Sequence, residues 1–155
     1  MGLEPTDLAV VERQLGRRPR AFRRVACRCA FGLPAVAEQA PFDERGEPFP
    51  TTYWLTCRHL VAAISRIEAA GGVERFSEAA REDPVLVRSL AEAEADQRRI
   101  RPELPVGIGG SSRTGSLKCL HAHAAYALAR PGYELGERIL AEVRPLWPDA
   151  CCSSI

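Results

Sequence analysis

The spacing of apolar residues predicts a strand-rich first third of the chain. Residues 22–29, 33–40 and 51–57 carry Val, Thr, Tyr, Trp and Phe, and turn-forming residues separate them. Connections this short join antiparallel neighbours. We therefore expect a small antiparallel sheet of about three strands, preceded by a short helix that ends near Gly16.

In the remaining two thirds of the chain the apolar spacing is helical. Leu60, Ile64 and Ile67 form one stripe, which the pair Gly71-Gly72 ends. Helices are expected from Cys57 to Gly71, from Val73 to Glu82, from Asp83 to Arg101, and from Ser116 to about Ala129. After a break at Pro131-Gly132, a final helix is expected with Leu135, Ile139, Val143 and Leu146 on one face. Strands followed by helices are the order of an α+β fold, so we predict that the sheet packs against four to five helices.

Length and composition fit one domain. The chain has 155 residues, of which 46% are hydrophobic, so it can bury a core without disulfides. We expect a single domain over residues 1–147 and a flexible tail over 148–155, in which Cys151 and Cys152 have no assigned role. No apolar run approaches the roughly 20 residues of a membrane helix, and the N-terminus lacks the order of a signal peptide. A cytoplasmic protein is therefore expected.

Charge is balanced over the whole chain but not within it. The net charge of +1 does not indicate nucleic acid, an acidic substrate or a membrane surface as a partner. Seven arginines nevertheless fall within residues 13–28, with no acidic residue between Glu12 and Glu38. This cluster is interpreted as a solvated basic face or as a surface for RNA, an acidic partner or a phosphate-type anion, with Arg24 as an anion-binding candidate.

Cysteine and histidine residues carry the most distinctive chemistry. All three histidines and four of the six cysteines fall in the clusters 27–29, 57–59 and 119–123. In a reducing cytoplasm metal binding, catalysis and simple burial are the competing explanations. Thiolate and imidazole together favour zinc, with Cu(I) or an iron–sulfur cluster as alternatives. On a helix Cys119 and His123 share a face, whereas His121 points elsewhere unless the helix begins late.

A second candidate site is the Gly- and Ser-rich loop before the fourth predicted helix after the sheet. Residues 110–116 resemble a phosphate-binding loop in spacing but lack the Lys that should follow the second glycine. The loop precedes a predicted helix N-terminus. It is interpreted as a flexible connector or as an anion cradle, with Arg113 and Lys118 as its cations.

Two motifs carry a family resemblance: Pro48-Phe-Pro-Thr-Thr-Tyr-Trp-Leu-Thr-Cys57 and Lys118-Cys-Leu-His-Ala-His123, supported by Cys29-x-x-Gly-x-Pro34 upstream. From about Asp7 to Leu146 the chain resembles the bacterial family called domain of unknown function 501. The resemblance implies cysteine at Cys29 and Cys119, cysteine or histidine at Cys57, and histidine at His121. This set has the four members that a closed zinc site takes.

The leading hypothesis is a cytosolic zinc-binding protein in which Cys29 and Cys57 from the sheet meet Cys119 and His121 or His123 from the helix. The metal would then be mainly structural, joining sheet and helix. One alternative is a metal-dependent hydrolase with three protein ligands and a water, acting on a phosphorylated substrate. Another is an adaptor that binds RNA or an acidic partner through the arginine cluster. Whether the protein is an enzyme is left open by the sequence.

Overall fold

The computed structural model describes residues 6–111, 115 and 117–150. Within these ranges one helix precedes a three-stranded sheet and five follow it, so the α+β prediction is confirmed. The strands are β1 (Phe22–Arg28), β2 (Pro34–Gln39) and β3 (Tyr53–Leu55). The helices are α1 (Asp7–Leu15), α2 (Arg58–Ala69), α3 (Gly72–Glu82), α4 (Pro84–Ile100), α5 (Leu120–Ala129) and α6 (Glu134–Ala141), with a short 3-10 helix over Ile108–Gly110.

The sheet is antiparallel, in the order β1-β2-β3. The central strand, β2, pairs Val36 with Leu55 of β3. The connection from β2 to β3 turns at Asp43, whose carboxylate accepts the N–H groups of Arg45 at 2.8 Å and Glu47 at 3.0 Å. An aspartate that binds backbone N–H groups a few residues ahead is a typical turn former, and here it reverses the chain within the connection over residues 40–52 that leads to the antiparallel β3.

Local sequence signals set the ends of α2, α3 and α4. Asp83 caps α4 by accepting the N–H of Val85 at 2.9 Å, and Pro84 occupies the first helical position, where no N–H is needed. Between α2 and α3, Gly71 has φ +87°, a left-handed conformation that favours glycine. The predicted boundaries therefore lie close to the observed ones in this part of the chain.

Helix α5 lies at the centre of the molecule. Every residue from Ala122 to Ala127 is buried, and the helix contacts β3, α2 and α6. A helix that is apolar on all sides is normally enclosed on all sides. Helix α6 approaches closely at Gly136, where an added Cβ would lie 2.6 Å from the Cβ of Ala127. The central helix therefore gives the residues at its start a firmly packed support.

Two helix ends differ from the predictions. Helix α5 begins at Leu120 with Cys119 as its N-cap, so it does not start after Ser116, which itself lies outside the described residues. Helix α6 ends at Ala141, ahead of Pro145, which lacks the N–H that a continuing helix would need.

The end of the predicted tail, with Cys151 and Cys152, lies outside the described residues. No helix in the described ranges is long and apolar enough to cross a membrane.

Candidate metal centre

The candidate site forms where the last turn of α2 meets the start of α5. Cys119 is the N-cap of α5, but its side chain makes no capping hydrogen bond. The cap comes instead from α2, because Oε2 of Glu68 accepts the N–H of Leu120 at 2.8 Å. Unpaired N–H groups and the helix dipole favour a carboxylate at this position. The contact brings Glu68 next to Cys119 and His121.

His121 is fixed through one ring nitrogen and presents the other to the site. Nε2 lies 3.2 Å from the carbonyl oxygen of Val61 and 3.1 Å from Oγ of Ser65. A carbonyl oxygen can only accept, so Nε2 carries the hydrogen and donates it. Nδ1 lies 3.3 Å from Oε1 of Glu68 and 3.5 Å from Sγ of Cys119. In the neutral ring the lone pair of Nδ1 therefore faces a thiol and a carboxylate.

Glu68, Cys119 and His121 form one group of potential metal ligands among the described residues. Their ligand atoms all lie within 4.8 Å of one another, and all three residues are half-buried. The side chains of His121 and Glu68 keep 23% and 26% of their surface exposed. The group is thus accessible from one side and supported by two helices from the other.

The contacts of His121 favour a positive charge at this point. The hydrogen bond with Cys119 raises the pKa of His121 against the opposing effect of partial burial, and the carboxylate of Glu68 adds to the rise. A metal cation between the same groups would compete with the ring proton for Nδ1. Metal binding at this group would therefore weaken as the pH falls.

A cavity of about 470 Å³ adjoins the group. Its size lies within the range of roughly 300–1,000 Å³ that small-molecule sites occupy. Cys119, His121 and Lys118 line it, and most of the remaining wall is apolar. The other lining residues are Thr51, Tyr53, Trp54, Leu55, Val61, Gly109 and Ala122.

A family model described as "Protein of unknown function (DUF501)" matches residues 25–105, just over half of the 155-residue chain. The chain belongs to this family. The part matched by the DUF501 model contains Cys29, Cys57 and Glu68 and ends before Cys119 and His121. No curated protein and no solved structure matches the chain significantly.

In this DUF501 protein two of the five predicted metal ligands lie together, namely Cys119 and His121. A regular helix through both would direct them to different sides. Cys119 instead has an extended backbone, with φ −159° and ψ 126°, ahead of the first helical residue. The late start of α5 is therefore what brings the thiol to the imidazole.

The other three predicted ligands lie outside the group, so the expected four-residue set is not gathered in this structure. Cys29 follows β1, and its Sγ lies 3.4 Å from the backbone nitrogen of Phe31. Cys57 is buried in the hydrophobic core at the N-cap of α2. His123 is completely buried with Nδ1 2.7 Å from the hydroxyl oxygen of Tyr133, and burial lowers the pKa of His123 to about 4.

The predicted anion-binding residues lie in different places. Lys118 lines the cavity, whereas Arg24 pairs with Glu38 at 2.8 Å, and Arg113 lies outside the described residues. Other members of the arginine cluster also contact carboxylates: Arg18 pairs with Glu44, Arg23 with Glu38, and Arg28 with Asp7. These pairs offset part of the positive charge that would attract RNA.

Glu68 is the site residue that the sequence analysis did not single out. It lies at the far end of α2 from Cys57 and His59, and no other cysteine or histidine lies closer to it along the chain. The one available signal is its position in the last turn of α2, where the helix dipole favours cations and disfavours a carboxylate. The contact that favours a carboxylate at this position lies at the start of α5, where Glu68 accepts the N–H of Leu120.

Proposed function

We propose that this protein binds one zinc ion through Glu68, Cys119 and His121. The supporting observation is the spacing of the ligand atoms. Tetrahedral zinc, with bonds of about 2.3 Å to sulfur and about 2.0–2.1 Å to nitrogen or oxygen, would separate sulfur from nitrogen by about 3.5 Å and nitrogen from oxygen by about 3.3 Å. The corresponding separations are 3.5 Å from Cys119 Sγ to His121 Nδ1 and 3.3 Å from Glu68 Oε1 to His121 Nδ1.

The types of ligand also favour zinc over the alternatives. Zinc accepts thiolate, imidazole and carboxylate ligands, whereas Cu(I) prefers sulfur ligands and an iron–sulfur cluster takes several thiolates. The free N–H of a metal-bound histidine normally donates to a carbonyl or carboxylate that fixes the ring. Val61 provides that carbonyl for His121. The surroundings of the imidazole thus match those of a metal ligand.

Catalysis is a second candidate function, because three protein ligands leave one tetrahedral position for water or substrate. Zinc held by Glu68, Cys119 and His121 would supply Lewis acidity and lower the pKa of a bound water, which is the chemistry that a metal-dependent hydrolase uses. The cavity beside the ligands would receive the substrate. Lys118 is the only positively charged side chain among the described residues that line it. A phosphorylated substrate would therefore contact few described cations there.

Metal analysis of protein purified without a histidine tag tests the zinc proposal. We expect about one equivalent of zinc in the wild type and less than about a tenth in Cys119→Ala and His121→Ala, because each loses one of three ligands. Cys27→Ala is the matched control, since Cys27 is half-buried on β1 and outside the ligand group, and it should keep its zinc.

Circular dichroism would establish that each variant is folded. X-ray absorption at the zinc edge should show one sulfur neighbour beside nitrogen and oxygen. Less than about half an equivalent in zinc-supplied wild type, or full occupancy in Cys119→Ala, would contradict the proposal.

A further inference from the structure

The cavity beside the candidate ligands combines an apolar wall with a small polar region. Tyr53 and Leu55 of β3, Val61 of α2 and Ala122 of α5 provide apolar surface. The polar region contains Cys119 and His121 of the ligand group, together with Lys118, which is exposed and directly precedes Cys119 in the chain. Sites of this composition bind molecules with an apolar body and one polar group that fixes their orientation.

The net charge of the zinc-loaded site determines which charge on a small-molecule ligand it favours. With zinc in place, the two positive charges of the ion are balanced by the thiolate of Cys119 and the carboxylate of Glu68, while His121 is neutral. The ammonium group of Lys118, which lines the same cavity as Cys119 and His121, then leaves one net positive charge in this region. A single carboxylate balances that charge, whereas a phosphate monoester would bring about two negative charges.

Resting on the zinc site proposed above, we infer that the cavity binds a medium-chain carboxylic acid. One carboxylate oxygen occupies the open position on zinc, the ammonium group of Lys118 contacts the head group, and the hydrocarbon chain lies against Leu55, Val61 and Ala122. The cavity of about 470 Å³ is large enough for a ligand of this kind. The head group thus provides orientation and the chain provides affinity.

Calorimetric titration of zinc-loaded protein with butyrate, hexanoate and octanoate tests the inference. Burial of each added methylene contributes about 0.8 kcal/mol, so affinity should rise about fourfold per methylene, and octanoate should bind at least tenfold more tightly than hexanoate. Octylammonium has the same chain with the opposite charge and should not bind measurably. The same titration after zinc removal should show a clear loss of octanoate affinity.

Two phenylalanine variants on adjacent positions of α2 locate the binding site. Val61→Phe fills the cavity and should weaken octanoate binding at least tenfold, while it keeps the backbone carbonyl that holds His121. Ala62→Phe adds the same ring to the neighbouring exposed position and should leave octanoate binding unchanged. Both variants should retain one equivalent of zinc.

The zinc content of each sample separates the two proposals. Suppose that the wild type holds zinc. If its affinity for the acids does not rise with chain length, or if Val61→Phe binds octanoate as tightly as the wild type does, the inference is overturned and the zinc site still stands. Equal octanoate affinity with and without zinc overturns the placement of the carboxylate on the ion. Wild type that takes up no zinc overturns both.

Discussion

At the scale of single residues, Glu68 makes two contacts of different kinds. Its Oε2 accepts the first N–H of α5 at 2.8 Å, and its Oε1 faces Nδ1 of His121 at 3.3 Å. The first contact needs only a hydrogen-bond acceptor, which an amide also provides. The second contact would make Oε1 a zinc ligand, and this role needs a carboxylate, because an amide oxygen is neutral and binds zinc poorly. Two substitutions can therefore separate the structural from the metal-binding contribution.

We expect Glu68→Gln and Glu68→Ala to lose zinc alike but to differ in stability. In zinc-free protein Glu68→Ala should be about 1 kcal/mol less stable than Glu68→Gln, because it leaves the N–H of Leu120 without its cap. Urea unfolding in the presence of a chelator measures this difference, and metal analysis measures the zinc. Equal stability of the two variants would show that the cap contributes little.

At the scale of elements, sequence prediction worked where the determining contact is local. The start of α4 depends on the adjacent residues Asp83 and Pro84, so it could be predicted from them. The start of α5 depends on a contact between Glu68 and Leu120, which are 52 positions apart, and local capping signals at Ser116 do not reveal it.

The candidate site divides in the same way. Cys119 and His121 were found through the motif that resembles the family, whereas Glu68 has no partner near it along the chain. Cys29 and Cys57 belong to the same resemblance, but strand β1 and the start of α2 direct them to other surroundings. Which ligands meet depends on the packing of α2 on α5, and no spacing along the chain encodes that packing.

The close contact between α5 and α6 depends on a glycine, Gly136, which has no side chain. A Cβ added to Gly136 would lie 2.6 Å from the Cβ of Ala127 and 2.7 Å from the carbonyl oxygen of His123. Alanine otherwise favours a helix over glycine by about 1 kcal/mol. We nevertheless expect Gly136→Ala to lower the free energy of unfolding by about 1–3 kcal/mol, because the enclosed α5 cannot move aside. Urea unfolding measures this change. A gain in stability would contradict the prediction and would mean that α5 and α6 can move apart to accommodate the added methyl group.

At the scale of the whole molecule, the interior contains a carboxylate that affects how stability varies with pH. Glu94 on α4 is 2% exposed, accepts the N–H of Gly115 at 3.2 Å, and lies 3.9 Å from Arg98. Burial raises the pKa of Glu94, although these two contacts oppose the rise. At pH values between the ordinary pKa of a glutamate and the raised pKa of Glu94, this residue is protonated more often in the folded protein than in the unfolded chain. The contribution of Glu94 to stability therefore decreases as the pH rises through this range.

Glu94→Gln should remove this contribution. The variant keeps an oxygen that can accept the N–H of Gly115 but has no charge to desolvate. We therefore expect its stability relative to the wild type to increase as the pH is raised from about 4 to about 7. Urea unfolding at several pH values measures the difference, with the exposed Glu92→Gln on the same helix as the control for loss of a charge. A difference that stays constant or shrinks with pH would contradict the assignment.

Val61 belongs to both halves of the proposed binding region. Its carbonyl oxygen holds the imidazole of His121, and its side chain forms part of the cavity wall. The backbone and the side chain of a residue move together when its helix shifts. A bound ligand that displaces the side chain of Val61 would therefore also displace the carbonyl oxygen that holds His121. Occupancy of the cavity and the affinity for zinc would then be coupled through Val61.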